Sequence, residues 1–250
     1  MGMMSHQTLI DRFRSARGDQ SLAVLEGFHP LKHAIRFGAE LIEVVSLDAA
    51  ELEHLAASFA PDIAPGLHNC IDEVPALVFE QLAPVPPPTG VIAIARRPAV
   101  SLTKMINDPA PAPVVLLQNP RNLLNIGAAI RVSAAAGAAG VITTGPQDPW
   151  HPAALIAGVG LQYALPVVRT ATLPNCDRSL VAIDPGGEPL QPGSIPANAI
   201  LAFGAEREGL TRAIMASADH RVSIPMCAGV SSLNLATAVA VVLYTWRLGR

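Results

Sequence analysis

Short aliphatic runs alternate along this chain with stretches whose apolar positions recur every three to four residues. The first pattern predicts buried strands and the second predicts helices packed on them. In the first hundred residues the strands fall at Ala23–Glu26, Leu41–Leu47 and Gly90–Ala95. A helix is expected over His29–Phe37, with Pro30 in its first turn, where a missing N–H costs nothing. Asp48 is a good N-cap for a second helix reaching about Phe59. Ala64–Cys70 is expected to hold a short strand and Asp72–Gln81 a helix. The prolines of Val85–Pro88 block regular structure. A segment carrying Arg12, Arg14 and Arg17 precedes this unit, as a helix or a frayed arm.

Pro98–Pro113 has four prolines and no sustained period, so it reads as a linker. Strands are then expected at Val114–Leu117, Gly140–Thr143, Pro166–Arg169, Ser179–Ile183, Ile200–Phe203 and Arg221–Ile224. Helices are expected over Ile126–Ala136, from about Pro152, over Leu210–Ser217 and over Ser232–Leu248. Strands alternating with helices argue for an α/β fold on a mostly parallel sheet. The expected division is a small α/β domain over 1–97, a linker over 98–112 and a larger domain over 113–250.

Half the residues are hydrophobic and only 4% aromatic, so the core is expected to be aliphatic and alanine-rich. Cys70, Cys176 and Cys227 show no paired spacing, which argues against a disulfide framework and for a reducing, cytoplasmic setting. No apolar run reaches the roughly 18 residues of a membrane span, and no signal peptide is apparent. A net charge of −3 is not the signature of a general nucleic-acid coat. The cations are nonetheless nearly all arginine, with Lys32 and Lys104 the only lysines. Arginine suits bidentate phosphate contacts. A chain-wide bias toward Ala, Pro, Gly and Arg explains the same count equally well.

Three stretches fall where a strand runs into a loop or helix, and parallel sheets bind ligands beyond those strand ends. After Val114–Leu117, Asn122 or Asn125 can cap a helix, Gly127 allows close approach, and Arg131 lies a turn and a half further on. An ordinary capped helix with an exposed arginine reads the same way. After Ile200–Phe203, Gly204 permits an unusual backbone angle, and Glu206 and Glu208 lie beside a turn that Gly209 closes. Such carboxylates often only complement a helix dipole. After Arg221–Ile224, Pro225 ends the ladder, and Ser232-Leu233-Asn234 opens the last helix, where Ser and Asn are also plain caps.

Together the three stretches resemble the motifs of the SpoU family, the SPOUT-class RNA ribose 2'-O-methyltransferases. Asn125, Gly127 and Arg131 match N-x-G-x-x-x-R; Gly204, Glu206 and Gly209 match G-x-E-x-x-G; Ile224-Pro225-Met226 with Ser232-Leu233-Asn234 match the third motif. Leu25–Ala34 and Thr89–Pro98 resemble the small L30e-like substrate-binding domain that precedes the catalytic domain in many members. The likeness spans roughly residues 20 to 248. Two positions depart from it: Ala228 stands where the family has glycine, and Ala157–Gly160 lacks an arginine and a serine. These bear on substrate contacts more than on the cofactor fold.

The resemblance implies a C-terminal trefoil knot that binds S-adenosylmethionine, and a homodimer packed through the knot region. It implies cofactor contacts at Phe203, Gly204, Ala205, Glu206, Gly209, Ile224, Pro225, Met226, Ser232, Leu233 and Ala236. It implies catalysis by Arg131, Asn125, Glu206, Ser232 and Asn234, acting on a ribose 2'-hydroxyl of ribosomal or transfer RNA. Arginine is locked in its charged form, so Arg131 is expected to clamp phosphate and orient the hydroxyl. Glu206 either accepts the proton or holds Arg131 or Asn125. Arg12, Arg14, Arg17, Arg96 and Arg97 are expected to capture structured RNA with Arg131. No metal is expected: His29 and His33 are spaced i, i+4 but lack a metalloprotease glutamate. Gly158–Tyr163 lacks the third glycine of a dinucleotide fingerprint, which leaves a nucleotide-cofactor enzyme a distant third reading. A non-catalytic RNA-binding or ribosome-assembly factor that keeps the fold is the alternative.

Overall fold

The computed structural model describes residues 5–67 and 70–250. In chain order the first elements are α1 (His6–Ala16), β1 (Leu22–Glu26), α2 (Phe28–Arg36), β2 (Leu41–Ser46), α3 (Ala49–Phe59), α4 (Ala64–Leu67), β3 (Ile71–Glu73), α5 (Ala76–Phe79) and β4 (Val91–Arg96). There follow α6 (Leu102–Ile106), β5 (Val114–Leu117), α7 (Leu123–Ala136), β6 (Gly140–Thr143), α8 (Pro152–Ala157) and a 3-10 turn at Leu161–Tyr163. The last are β7 (Val167–Arg169), β8 (Leu180–Pro189), β9 (Ile200–Phe203), α9 (Arg212–Ser217), β10 (His220–Ser223) and α10 (Leu235–Leu248). No described helix is long and apolar enough to cross a membrane.

The chain divides into two compact units, one of residues 1–99 and 150–164, the other of residues 100–149 and 165–250. In the first, a four-stranded sheet runs β1-β4-β2-β3. β4 is antiparallel to both neighbours and β2 is parallel to β3. The basic N-terminal segment is helical rather than frayed. Ser5 caps α1 by accepting from Thr8 N, and Leu9, Ile10 and Phe13 bury one face against Val24, Val45 and Ile92. Asp48 caps α3 through Glu51 N, as its side chain allows.

Several expectations are corrected. Ala64–Cys70 holds a helical turn rather than a strand; the strand follows at Ile71, and His68 and Asn69 lie outside the described residues. The expected helix Asp72–Gln81 shrinks to α5, because Pro75 is extended and biases Val74 away from helix as well. The proline-rich 98–113 stretch contains α6, which Ser101 caps and whose Met105 and Ile106 are buried with Val114 and Ile142. Residues 150–164, expected in the C-terminal domain, pack with the N-terminal unit. There Gly160 lies so close to Pro30 that a Cβ would sit 2.4 Å from the Pro30 carbonyl oxygen. His33 Nδ1 donates to the Val159 carbonyl at 2.6 Å, holding a β-branched residue at φ 48°.

In the second unit six strands run β10-β8-β9-β5-β6-β7, every adjacent pair parallel. All four residues of β5, β6 and β9 are buried, as strands covered on both faces require. Each such aliphatic side chain contributes about 1.5–3 kcal/mol by leaving water. The parallel arrangement sends the C-terminal ends of β5, β9, β8 and β10 to one edge of the sheet.

Candidate active site

At that edge β9 runs into Gly204. A Cβ there would stand 2.1 Å from the Gly209 carbonyl carbon, so the turn admits only glycine. Ala205 and Gly209 exchange backbone hydrogen bonds of 3.2 and 3.0 Å, with Gly209 at φ 67°. The closed loop presents Glu206, Arg207 and Glu208 at its tip. From β5, Gln118 makes reciprocal hydrogen bonds with Thr211, 2.8 and 2.7 Å long, and so ties the two strand ends together. Arg121 pairs with Glu208. Asn122 caps α7, accepting from the amides of Leu124 and Asn125.

The three separated stretches meet through side chains. Glu206 Oε1 accepts from Asn125 Nδ2 at 2.9 Å, and Glu206 Oε2 accepts from the Arg121 amide at 3.3 Å. Asn125 Oδ1 accepts from Asn234 Nδ2 at 2.9 Å. Asn234 Oδ1 in turn accepts from the amides of Ala236 and Thr237 and starts α10. Partial burial pushes the Glu206 pKa up, but hydrogen bonds from Asn125 and from backbone amides outweigh it, leaving the group below the ordinary glutamate value. Glu206 is therefore an ionised acceptor with both oxygens engaged. It holds Asn125, not Arg131.

Beside this cluster opens a cavity of about 290 Å³. The β9 side contributes Phe203, Gly204, Ala205, Glu206 and Gly209. The other side is formed by Ile224 and Met226 after β10, and by Ser232 and Leu233 ahead of α10. Two expected residues do not line it. Pro225 lies between two that do, and Ala236 gives its place to Leu235 and Ala238, which share the face that α10 turns to the cavity. Arg131 lies outside the lining too. It is exposed on α7, and its side chain makes no hydrogen bond or ion pair with any described residue.

A sequence model described as the SpoU rRNA Methylase family matches residues 112–244. The chain belongs to this family. It is 28% identical over 240 residues to the Bordetella pertussis 23S rRNA (guanosine-2'-O-)-methyltransferase RlmB, covering 90% of this chain and 96% of that one. It is 33% identical over 169 residues to a tRNA/rRNA methyltransferase of Mycobacterium bovis, covering 62% of this chain. The matched region spans 58% of the mycobacterial relative's length. The fold is that of the SpoU methyltransferase AviRb from Streptomyces viridochromogenes, solved with AdoMet, with a TM-score of 0.75, 23% identity and coverage of 95% and 96%.

Sequence reasoning missed a third wall of the cavity, made by Ile183, Asp184 and Pro185, and also Arg207. The signal was present in Asp184-Pro185-Gly186-Gly187 but reads as a turn ending a strand. In the structure β8 continues through it to Pro189. Of the arginines expected to meet RNA, Arg12 pairs with Glu43 at 2.8 Å and Arg17 with Glu26 at 2.6 Å. Arg97 Nε donates to the Leu22 carbonyl. Arg14 and Arg96 are more exposed, and pair with Asp11 and Glu40.

Proposed function

We propose that this chain methylates a ribose 2'-hydroxyl of structured ribosomal or transfer RNA, with S-adenosylmethionine as donor. The carrying observation is the Glu206–Asn125–Asn234 chain of hydrogen bonds, which gathers three separated stretches at the rim of one cavity. SpoU membership and the relatives' 2'-O-methyltransferase names support the reading.

The cavity's chemistry fits the donor. Phe203, Ile224, Met226 and Leu233 offer apolar walls for a purine and a thioether. The Gly204 turn brings peptide groups close with no side chain between. Asp184 and Glu206 complement a positively charged sulfonium. When bound, S-adenosylmethionine supplies an electrophilic methyl group and leaves as a neutral thioether. The protein's share is alignment, which supplies much of the acceleration in such transfers. Asn125 and Asn234, fixed by Glu206, hold the rim on which the ribose lies, with Ser232 beside them. Arg131 takes the phosphate and orients the 2'-hydroxyl, since its own guanidinium is uncommitted. With Glu206 already engaged, the hydroxyl proton passes to solvent as the methyl–oxygen bond forms.

A second copy of the chain covers α10 in this reading. Val241, Tyr244 and Leu248 remain 36%, 41% and 81% exposed at helical spacing along one stripe. The trefoil knot and an L30e-like RNA-capturing role for the N-terminal unit belong to the same proposal, with Arg14 and Arg96 the arginines most available there. The test is to map 2'-O-methylation in RNA from cells lacking the protein, and then to restore the lost mark with purified protein and labelled donor. An unchanged methylation map together with no transfer in vitro would overturn the activity. RNA binding without affinity for S-adenosylhomocysteine would favour the assembly-factor alternative.

A further inference from the structure

The long strand β8 is not regular. On one side it pairs with β9 through Ile183↔Phe203. On the other it follows β10 through Arg221↔Ala182 and then jumps to Val222↔Glu188. Ile183–Gly187 therefore bulges out with no partner on β10. The bulge is built in. Gly187 packs so tightly that a Cβ would stand 2.5 Å from the Arg221 carbonyl carbon and the Val222 nitrogen. Pro185 cannot donate to a ladder. Arg221 Nη2 donates to Asp184 Oδ1 at 2.6 Å, and the Gly186 amide donates to the same oxygen at 3.0 Å. Bulges beside functional sites commonly re-aim a side chain.

Here the re-aimed side chain reaches the cavity that also contains Glu206. The two acids differ in what they have left to offer. Both Glu206 oxygens are occupied, by Asn125 and by the Arg121 amide. Asp184 spends only Oδ1, and Oδ2 accepts no hydrogen bond from any described residue. We propose that Asp184 Oδ2 receives a hydrogen-bond donor of the bound methyl donor, either a ribose hydroxyl or the α-ammonium, and that Arg221 is the positioning residue that fixes the carboxylate. The inference rests on the methyl-donor reading of the cavity. The Arg221 pair also keeps Asp184 ionised, with its pKa below the usual carboxylate range, since the hydrogen bond outweighs burial.

The test is calorimetric titration of the whole chain with S-adenosylhomocysteine and with 5'-methylthioadenosine, which keeps the nucleoside and lacks the amino acid. Asp184→Ala is expected to weaken S-adenosylhomocysteine binding about tenfold or more, the loss of one charge-assisted hydrogen bond. An equal loss for 5'-methylthioadenosine assigns the contact to the nucleoside; an unchanged affinity for it assigns the contact to the ammonium. Asp184→Asn, which keeps the shape, is expected to fall between the wild type and Asp184→Ala, and it decides the matter if the alanine variant unfolds. Arg221→Met is expected to weaken binding less, and to add nothing in the Asp184→Ala background. Wild-type affinity in both Asp184 variants overturns the inference alone. Wild-type protein that binds neither ligand overturns the methyl-donor reading and this inference with it.

Discussion

The N-terminal unit engages every one of its arginines, whereas the C-terminal unit engages some, Arg121 and Arg221 among them, and leaves others uncommitted. In the N-terminal unit Arg12 and Arg17 pair with Glu43 and Glu26, and Arg97 donates to a backbone carbonyl while lying 6.0 Å over the Trp150 ring. In the C-terminal unit the side chains of Arg131, Arg207 and Arg212 make no hydrogen bond or ion pair with any described residue. Arg178 shows that the divide is one of position more than of unit. Its guanidinium bonds the carbonyls of Ile106, Asp108, Ala112 and Asn198. Those partners precede β5 and β9, and Arg178 itself precedes β8, so it staples the edge where strands begin. The uncommitted arginines follow the edge where strands end. A parallel sheet separates these tasks, with stability at one edge and ligand chemistry at the other.

The largest expected break of that comparison is at Arg131. Arg131→Ala is expected to lower methyl transfer about a thousandfold, as loss of a charge that orients the reacting group does. S-adenosylhomocysteine affinity and the thermal midpoint should stay near wild type, because the side chain touches neither the cavity nor a described partner. Single-turnover kinetics beside calorimetry separates the two. An equal fall in cofactor affinity would place Arg131 among the structural arginines.

Arg178 should behave in the reverse manner. Arg178→Met leaves four carbonyls without their donor and is expected to destabilise the fold by about 3 kcal/mol, read by urea denaturation. Turnover per folded molecule should be unchanged. Loss of turnover without loss of stability would erase the division between the two edges of the sheet.

How much of this was legible before the structure depended on what decided each element. β5, β6 and β9 were read residue for residue, because a fully buried parallel strand is a continuous aliphatic run. The three motif stretches were legible through their joint resemblance to the SpoU motifs, since their caps and glycines taken singly read as ordinary helix starts and turns. α6 was not, since five residues inside a proline-rich stretch carry too little period to outweigh the prolines. The β8 bulge was hidden because its aspartate, proline and glycines are also the residues of a turn. The arginines were the least legible. Nothing local to Arg12 or Arg17 announces that Glu43 and Glu26 lie within reach across the fold, so a structural staple and an RNA contact look alike in the sequence.

The Arg12–Glu43 pair sharpens the comparison from the N-terminal side. Burial raises the Glu43 pKa above the ordinary value, and Arg12 only partly offsets it. For an acid this sign means the folded state binds its proton more tightly than the unfolded state, so stability falls as pH rises from the unfolded value through the folded one. Arg12→Met removes the offset and is expected to cost about 2 kcal/mol at neutral pH, less than a fully buried pair because Arg12 is 42% exposed. The deficit should shrink as pH falls into the carboxylate range, and Glu43→Gln in the same background should remove most of it. A deficit that ignores both acid and Glu43→Gln would mean Arg12 acts by packing alone.

Glu206 gives the smallest effect and the opposite sign. Its pKa is depressed because hydrogen bonds from Asn125 and backbone amides outweigh burial. Its stabilising contribution is therefore complete above the unfolded value and is lost only as pH falls through the folded one. The difference in thermal midpoint between wild type and Glu206→Gln should stay constant from neutral pH down to the ordinary glutamate range, and shrink only below it. If the difference faded at or above that range, Glu206 would be taking up protons close to neutral pH. It would then be a proton carrier, and not the fixed anchor on which Asn125 and Asn234 are hung.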